Sequence, residues 1–296
     1  MSLNKPIWKL RNWIDLEKLD WSELSKNPKA IKVLEKNQDK INWSKLSKNP
    51  NAIELLEKNQ DKIDWHQLSK NYNAIHILEK NLNKVIWSRL SENLNAIKLI
   101  EKHQDKIYWL YLSYNKNPDA IKLLEKNQDK IDWSELSRNP NAIELLEKNQ
   151  DKIYWFYLSQ NPNAIKLLEK NQDKIDWCDL SENPNAIELL EKNPDKIDWY
   201  FLSYNPNSIK ILKENQNKID WNYLSKNPNA IELLEKNQDK IDWQQLSENP
   251  SIFELDYEAM KIANQMIYEE LIKEVMKPSR VFKNPDYDYI EELFGD

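Results

Sequence analysis

Glycine is almost missing from this chain of 296 residues: Gly295 is the only one, where average usage of about 7% would supply roughly 20. Phosphate-cradling loops, dinucleotide-binding turns and the strained turn beneath a nucleophilic serine all need glycine, because the backbone there takes positive φ or lies against ligand. Nucleotide-dependent chemistry in those standard forms is excluded. Cysteine is equally scarce. Cys178 stands alone, so no internal disulfide can form and a reducing, intracellular setting is expected. The three histidines, His66, His76 and His103, are too few and too scattered to suggest a metal centre. No run approaches the ~18 apolar residues of a membrane span, and Met1–Leu10 lacks the apolar stretch and cleavage site of a signal peptide. Charge of one sign is also missing: 43 basic against 49 acidic residues give a net −6, which exerts no general pull toward nucleic acid or anionic membrane.

What the chain has in quantity is periodicity. Trp21, Trp43, Trp65, Trp87, Trp109, Trp133, Trp155, Trp177, Trp199, Trp221 and Trp243 follow one another every 22 residues, with one step of 24 between Trp109 and Trp133. A fixed period of this length marks a solenoid, whose units bury their apolar faces only by stacking on neighbours. The 40% hydrophobic and 31% charged content suits a thin, well-solvated array. At 8–10 Å between packed helices, eleven units would extend roughly 90–110 Å.

Within one unit, Asn49–Lys70, Asn49-Pro50 reads as a helix start, with asparagine as cap and proline at the first helical position. Ala52, Ile53, Leu55 and Leu56 cover one face at 100° per residue, while Glu54, Glu57 and Lys58 fall opposite. The helix is expected to end near Asn59, where asparagine tolerates the left-handed conformation. A second, shorter helical or 3₁₀ piece starts at Asp64 and places Trp65, Leu68 and Ser69 on one face. The fold class is therefore all-α: a solenoid of about eleven 22-residue two-helix repeats. A leucine-rich-repeat horseshoe ranks second, since Ile63-x-Trp65-x-x-Leu68 loosely mimics its strand. Residues 1–20 are expected to form an N-terminal cap, 21–250 the array, and 251–296 a C-terminal capping helix and acidic tail. In that helix Met260, Ala263, Ile267, Leu271 and Val275 recur at helical spacing.

Three polar columns persist from unit to unit. The Asn column (Asn27 to Asn249) and the Ser column (Ser25 to Ser247) are read as ladders that satisfy turn and helix-end backbone groups. The Lys column (Lys40 to Lys240) is read as a solvated edge or helix-end partner. A longer, 44-residue rhythm overlies these. After the tryptophans, Leu110-Tyr111 is followed by Ser134-Glu135, Phe156-Tyr157, Cys178-Asp179, Tyr200-Phe201 and Asn222-Tyr223. These positions lie about 130° from the Trp/Leu face. Leu110, Tyr111, Phe156, Tyr157, Tyr200, Phe201 and Tyr223 are therefore the candidate partner-binding residues, since exposed aromatic rows are what partner surfaces use. A two-residue insertion at Tyr114-Asn115, with the loss of proline at Tyr72 and Leu94, suggests a bend or loosened stack around residues 71–115.

No catalytic or metal-binding residues can be named, and no cofactor is implied, because each carboxylate belongs to a repeating column. The expected function is a non-enzymatic scaffold with a protein partner. A self-associating structural spacer is the alternative; base stacking on the aromatic row is the third reading, weakened by the acidic total. No membrane role is expected.

The unit Asn-Pro-Asn-Ala-Ile-Glu-Leu-Leu-Glu-Lys-Asn-Gln-Asp-Lys-Ile-Asp-Trp, followed by Asn249–Lys261 and a module running through Met276-Lys-Pro-Ser-Arg280, resembles the short tandem-repeat proteins of giant DNA viruses that infect amoebae. That family usually has histidine where this chain has Lys277. The resemblance covers nearly the whole chain. It implies a viral origin, a place in the host cytoplasm or the virion, and no activity or site residues. In architecture the helix pairs also resemble leucine-rich-repeat-variant solenoids.

Overall fold

The computed structural model describes residues 6–277. They form two compact units: Asn12–Ile252, and residues 6–11 together with 253–277. The first is an all-α repeat solenoid. Each repeat holds three pieces, as in Ile53–Lys58 (α-helix), Gln60–Lys62 (3₁₀) and Trp65–Leu68 (α-helix). The 3₁₀ turn was not anticipated. It lets the chain reverse without glycine; among the described residues none has positive φ, and Asn59, expected to be left-handed, sits at φ −132°.

The short helix begins as the sequence suggests. The Asp64 side chain accepts from the His66 and Gln67 N–H groups, satisfying donors that the first turn leaves open. The longer helix does not. It starts at Ile53 after an uncapped Ala52, so Asn49 is no helix cap; it closes the preceding short helix and is 1% exposed. The reason is that its side chain is already committed. Its Oδ1 accepts from Asn51 N–H, and its Nδ2 donates to the Ser25 and Asn27 carbonyls of the previous repeat. The Ser column makes a second rung: Ser47 Oγ donates to the Trp43 carbonyl and accepts from Asp64 N–H of the next repeat. The ladder reading of these columns therefore holds, and it is these rungs that define each joint.

Leu24, Leu46, Leu68 and their equivalents to Leu246 are 0% exposed, as are Ala52, Leu56 and most of their columns. Each such leucine contributes about 1.5–3 kcal/mol by burial. The tryptophans are only half-buried. Their outer faces are covered by the lysine column, Lys62 Nζ lying 4.4 Å from the Trp43 ring centre and Lys152 4.6 Å from Trp133. The lysines of this column, Lys196 apart, are thus cation–π partners of the preceding repeat rather than a bare solvated edge. Lys152→Met is expected to cost about 0.5–1 kcal/mol in urea unfolding.

The array closes on itself. Asn27 Nδ2 donates to the Ser247 and Asn249 carbonyls, Asp20 N–H to Ser247 Oγ, and Lys18 lies 5.0 Å from the Trp243 ring. These are the bonds of an ordinary joint, here made between the last repeat and the first. The eleventh repeat is completed from the N-terminal side, where Ile14 and Leu19 are buried and Leu16–Lys18 forms the 3₁₀ turn. The expected rod with two faces to cap is therefore replaced by a ring of eleven units, each turning the chain by about 33°. No weak joint interrupts it near residues 71–115. The insertion lengthens a helix, Pro118–Glu125 capped by Asn117, while the rungs of Asn115 and Asn139 keep lengths of 2.9–3.1 Å.

In the other unit, β1 (Trp8–Leu10) pairs antiparallel with β2 (Phe253–Leu255), with Trp8 opposite Leu255. Asp256 caps the helix Tyr257–Val275. Tyr268, Leu271, Ile272 and Val275 of that helix are exposed rather than packed. The expected acidic tail, Asn284–Asp296, lies outside the described residues, as does the Ile267 side chain.

Candidate functional site: the inner wall of the ring

Short helices of neighbouring repeats pack closely, whereas the longer helices fan apart. In a closed ring the tighter layer is the inner one. Leu, Ser and Trp of each short helix face the longer helices; the residues one, two and five places after each tryptophan point the other way and form the inner wall. The candidates Leu110, Phe156 and Tyr200 are exposed there, and Tyr111, Tyr157, Phe201 and Tyr223 are half-buried beside them.

They do not form one row. Ser134 and Glu135 separate Leu110 and Tyr111 from Phe156 and Tyr157, and the half-buried rings are engaged by neighbours. The Arg89 guanidinium lies 5.4 Å from Tyr111, and Arg138 lies 4.1 Å from Tyr157. Phe156 and Tyr157 form a pair at 5.2 Å, and Tyr200, Phe201, Tyr204 and Tyr223 gather into a larger cluster, with Tyr200 and Tyr223 ring centres 3.8 Å apart. The Tyr200 hydroxyl donates to that of Tyr223, which pushes the Tyr200 phenol up to about 12.

At the N-terminal ends of the short helices runs a rim that sequence reasoning missed. In eight repeats its residue is the capping acid or amide: Asp20, Asn42, Asp64, Asp132, Asp176, Asp198, Asp220 or Asp242. In three it is Ile86, Tyr108 or Tyr154, and no side-chain cap bond is made. These three are 37%, 53% and 55% exposed. The lost caps cost about 1 kcal/mol each, and the side chains that replace them are only partly covered. With Leu110 and Phe156 they make an apolar arc interrupted once, at Asp132, and the rest of the rim is acidic apart from Asn42. The signal was readable: a cap residue replaced by a large apolar one in a short helix.

The wall's charges are mostly matched. Glu23 bonds Lys26 at 2.6 Å and Lys45 at 2.5 Å; Glu92 bonds Lys70 at 2.8 Å and Arg89 at 3.0 Å; Glu135 meets Arg138 and Glu248 meets Lys26 at 3.6 Å. Burial pushes the Glu23 carboxyl up, yet the two ammonium groups hold it below the usual range. Asp179 and Glu182 differ. Burial raises both carboxyls, and Asp179 raises Glu182 further. A raised carboxyl binds more protons folded than unfolded, so this pair makes stability fall as pH rises through the carboxylate range.

The three histidines have separate partners: Arg89 for His66, Glu57 for His76 and the Trp87 ring for His103. Among the described residues no group of three potential ligands could hold a metal ion, and no helix is long and apolar enough to cross a membrane. The class this geometry defines is an all-α repeat ring. Comparison with protein-family models, curated proteins and solved structures returned no match.

Proposed function

We propose that the chain is a non-enzymatic scaffold, a closed ring that docks a protein partner on the apolar arc of its rim. The observation that carries this is the exchange of capping acids for Ile86, Tyr108 and Tyr154: a lost cap bond together with a large side chain left 37–55% exposed favours a role outside the chain. The acidic remainder of the rim favours a partner with basic residues around an apolar centre. The sequence resemblance adds the setting, a viral protein acting in the host cytoplasm. A spacer lengthened by adding repeats has less support, because the ring leaves no free repeat face. Base stacking is disfavoured by the acidic rim.

Restoring the caps tests the proposal. The triple variant Ile86→Asp, Tyr108→Asp, Tyr154→Asp is expected to be more stable by about 1 kcal/mol per site and to lose partners that the unaltered chain captures from host cells. Undiminished capture by the stabilised variant would remove the rim as the docking surface.

A further inference from the structure

Two open grooves of matching construction notch the rim, one between the fourth and fifth repeats and one between the sixth and seventh. Their volumes are about 530 Å³ and 540 Å³. Each sets a tryptophan opposite the tyrosine that replaces the next repeat's capping acid: Trp87 with Tyr108, and Trp133 with Tyr154. Val85 and Ile107 line the first as well, and Ile131 and Ile153 the second. Each groove also holds one acid and one lysine, Asp105 and Lys106 or Asp151 and Lys152. Both lysines lie over the tryptophan rings, at 4.8 Å and 4.6 Å. The grooves are thus balanced in charge apart from Asp132, which lines the second. At the joint between them Asp132 stands where a tyrosine would, so the tyrosine lips recur two units apart. Asp64 and Asp176, the caps on either side of the arc, complete an acidic frame.

We propose, resting on the docking role given to the rim above, that the two grooves take two bulky apolar side chains from one extended, basic segment of the partner, six residues apart. At 8–10 Å per packed joint, two joints separate the tyrosine lips by roughly 16–20 Å. An extended chain covers that distance in five or six residues at about 3.3 Å each, and only an even step returns both side chains to the same face. Between the lips the rim turns through two units, about 65°. A straight helix about 10 Å across does not follow such a turn, whereas an extended segment bends with it. Basic residues between and outside the two anchors meet Asp132, Asp64 and Asp176.

Fluorescence anisotropy of labelled peptides titrated with the full chain tests this. Each peptide is about 15 residues of serine background, with two phenylalanines as anchors and arginines between and outside them. Saturable binding is expected, at least tenfold tighter with anchors six residues apart than with four or ten, and at least tenfold tighter than with glutamates in place of the arginines. Tyr108→Asp and Tyr154→Asp are each expected to weaken the six-residue peptide at least tenfold, although each adds a charge that would draw a merely electrostatic ligand closer. Tyr72→Asp, at an exposed tyrosine in a turn outside the rim, is expected to leave binding unchanged. The proposal is overturned if spacing makes no difference, if the glutamate peptide binds as well, or if either rim variant binds as tightly as the parent. It is also overturned if a stapled helix with anchors eleven residues apart, the same span at about 1.5 Å per residue, binds more tightly. Failure of every peptide, beside loss of captured partners in the triple rim variant, would remove this inference and leave the docking rim standing. Undiminished capture by the triple variant would remove both.

Discussion

Asn27→Ala is expected to open the ring, while Asn139→Ala weakens a joint and leaves the ring shut. Each asparagine makes the same three bonds, two from Nδ2 to carbonyls across the joint and one accepted by Oδ1. Removing the side chain strands buried backbone groups at about 1–3 kcal/mol each, on the order of 3–5 kcal/mol in total. At Asn139 the chain itself runs across the damaged joint. Asn27 faces the repeat most distant in sequence, with a separation of 220 residues to Ser247, and within the repeat array no peptide link crosses there. The reporter is Asp20 N–H, bonded to Ser247 Oγ at 2.8 Å. Its hydrogen exchange is expected to accelerate on the order of a hundredfold in Asn27→Ala and to stay near the parent rate in Asn139→Ala. Equal protection of Asp20 in the two variants would contradict a ring closed by this rung. An open array also has two ends that fray, so Asn27→Ala is expected to broaden the thermal transition as well.

Leu136→Ala is expected to cost about 3–5 kcal/mol in urea unfolding. Leu136 is 0% exposed and repeats a column equally buried from Leu24 to Leu246. Its removal leaves a cavity between two helix layers that the joints hold at fixed separation, which places it at the upper part of the range for such truncations. The half-covered Trp–Lys pairs contribute far less. A smaller loss for Leu136→Ala than for Lys152→Met would mean that the leucine column does not carry the core.

The periodic core was legible because its physics is local. Ala52, Leu56 and Leu68 show their burial in spacing alone, and Asp64 shows its capping role by standing directly before Trp65. Tryptophan is the most conspicuous member of the repeat, yet leucine, alanine and asparagine fill the joint. Closure was not legible from one unit, because a turn of about 33° is set by small differences in packing between layers. The chain ends did hold a sign of it: Leu16–Asp20 matches Gln38–Asn42 in pattern, and the eleventh repeat stops after Asn249-Pro250. Each end is the part the other lacks. For the wall, aromatic positions could be read, but the pairing of one carboxylate with a particular lysine depends on which repeats become neighbours.

Eleven is a prime number, and this has a consequence for whatever the ring receives. No block of two or more units can tile such a circle, and two kinds of unit cannot alternate round it without a fault. The alternation that starts at Leu110-Tyr111 meets its fault where Tyr200 touches Tyr223, like against like. What sets one bearing apart is therefore the difference between units: the Tyr200–Tyr223 contact stands at a single joint, while the asparagine rungs recur round the circle.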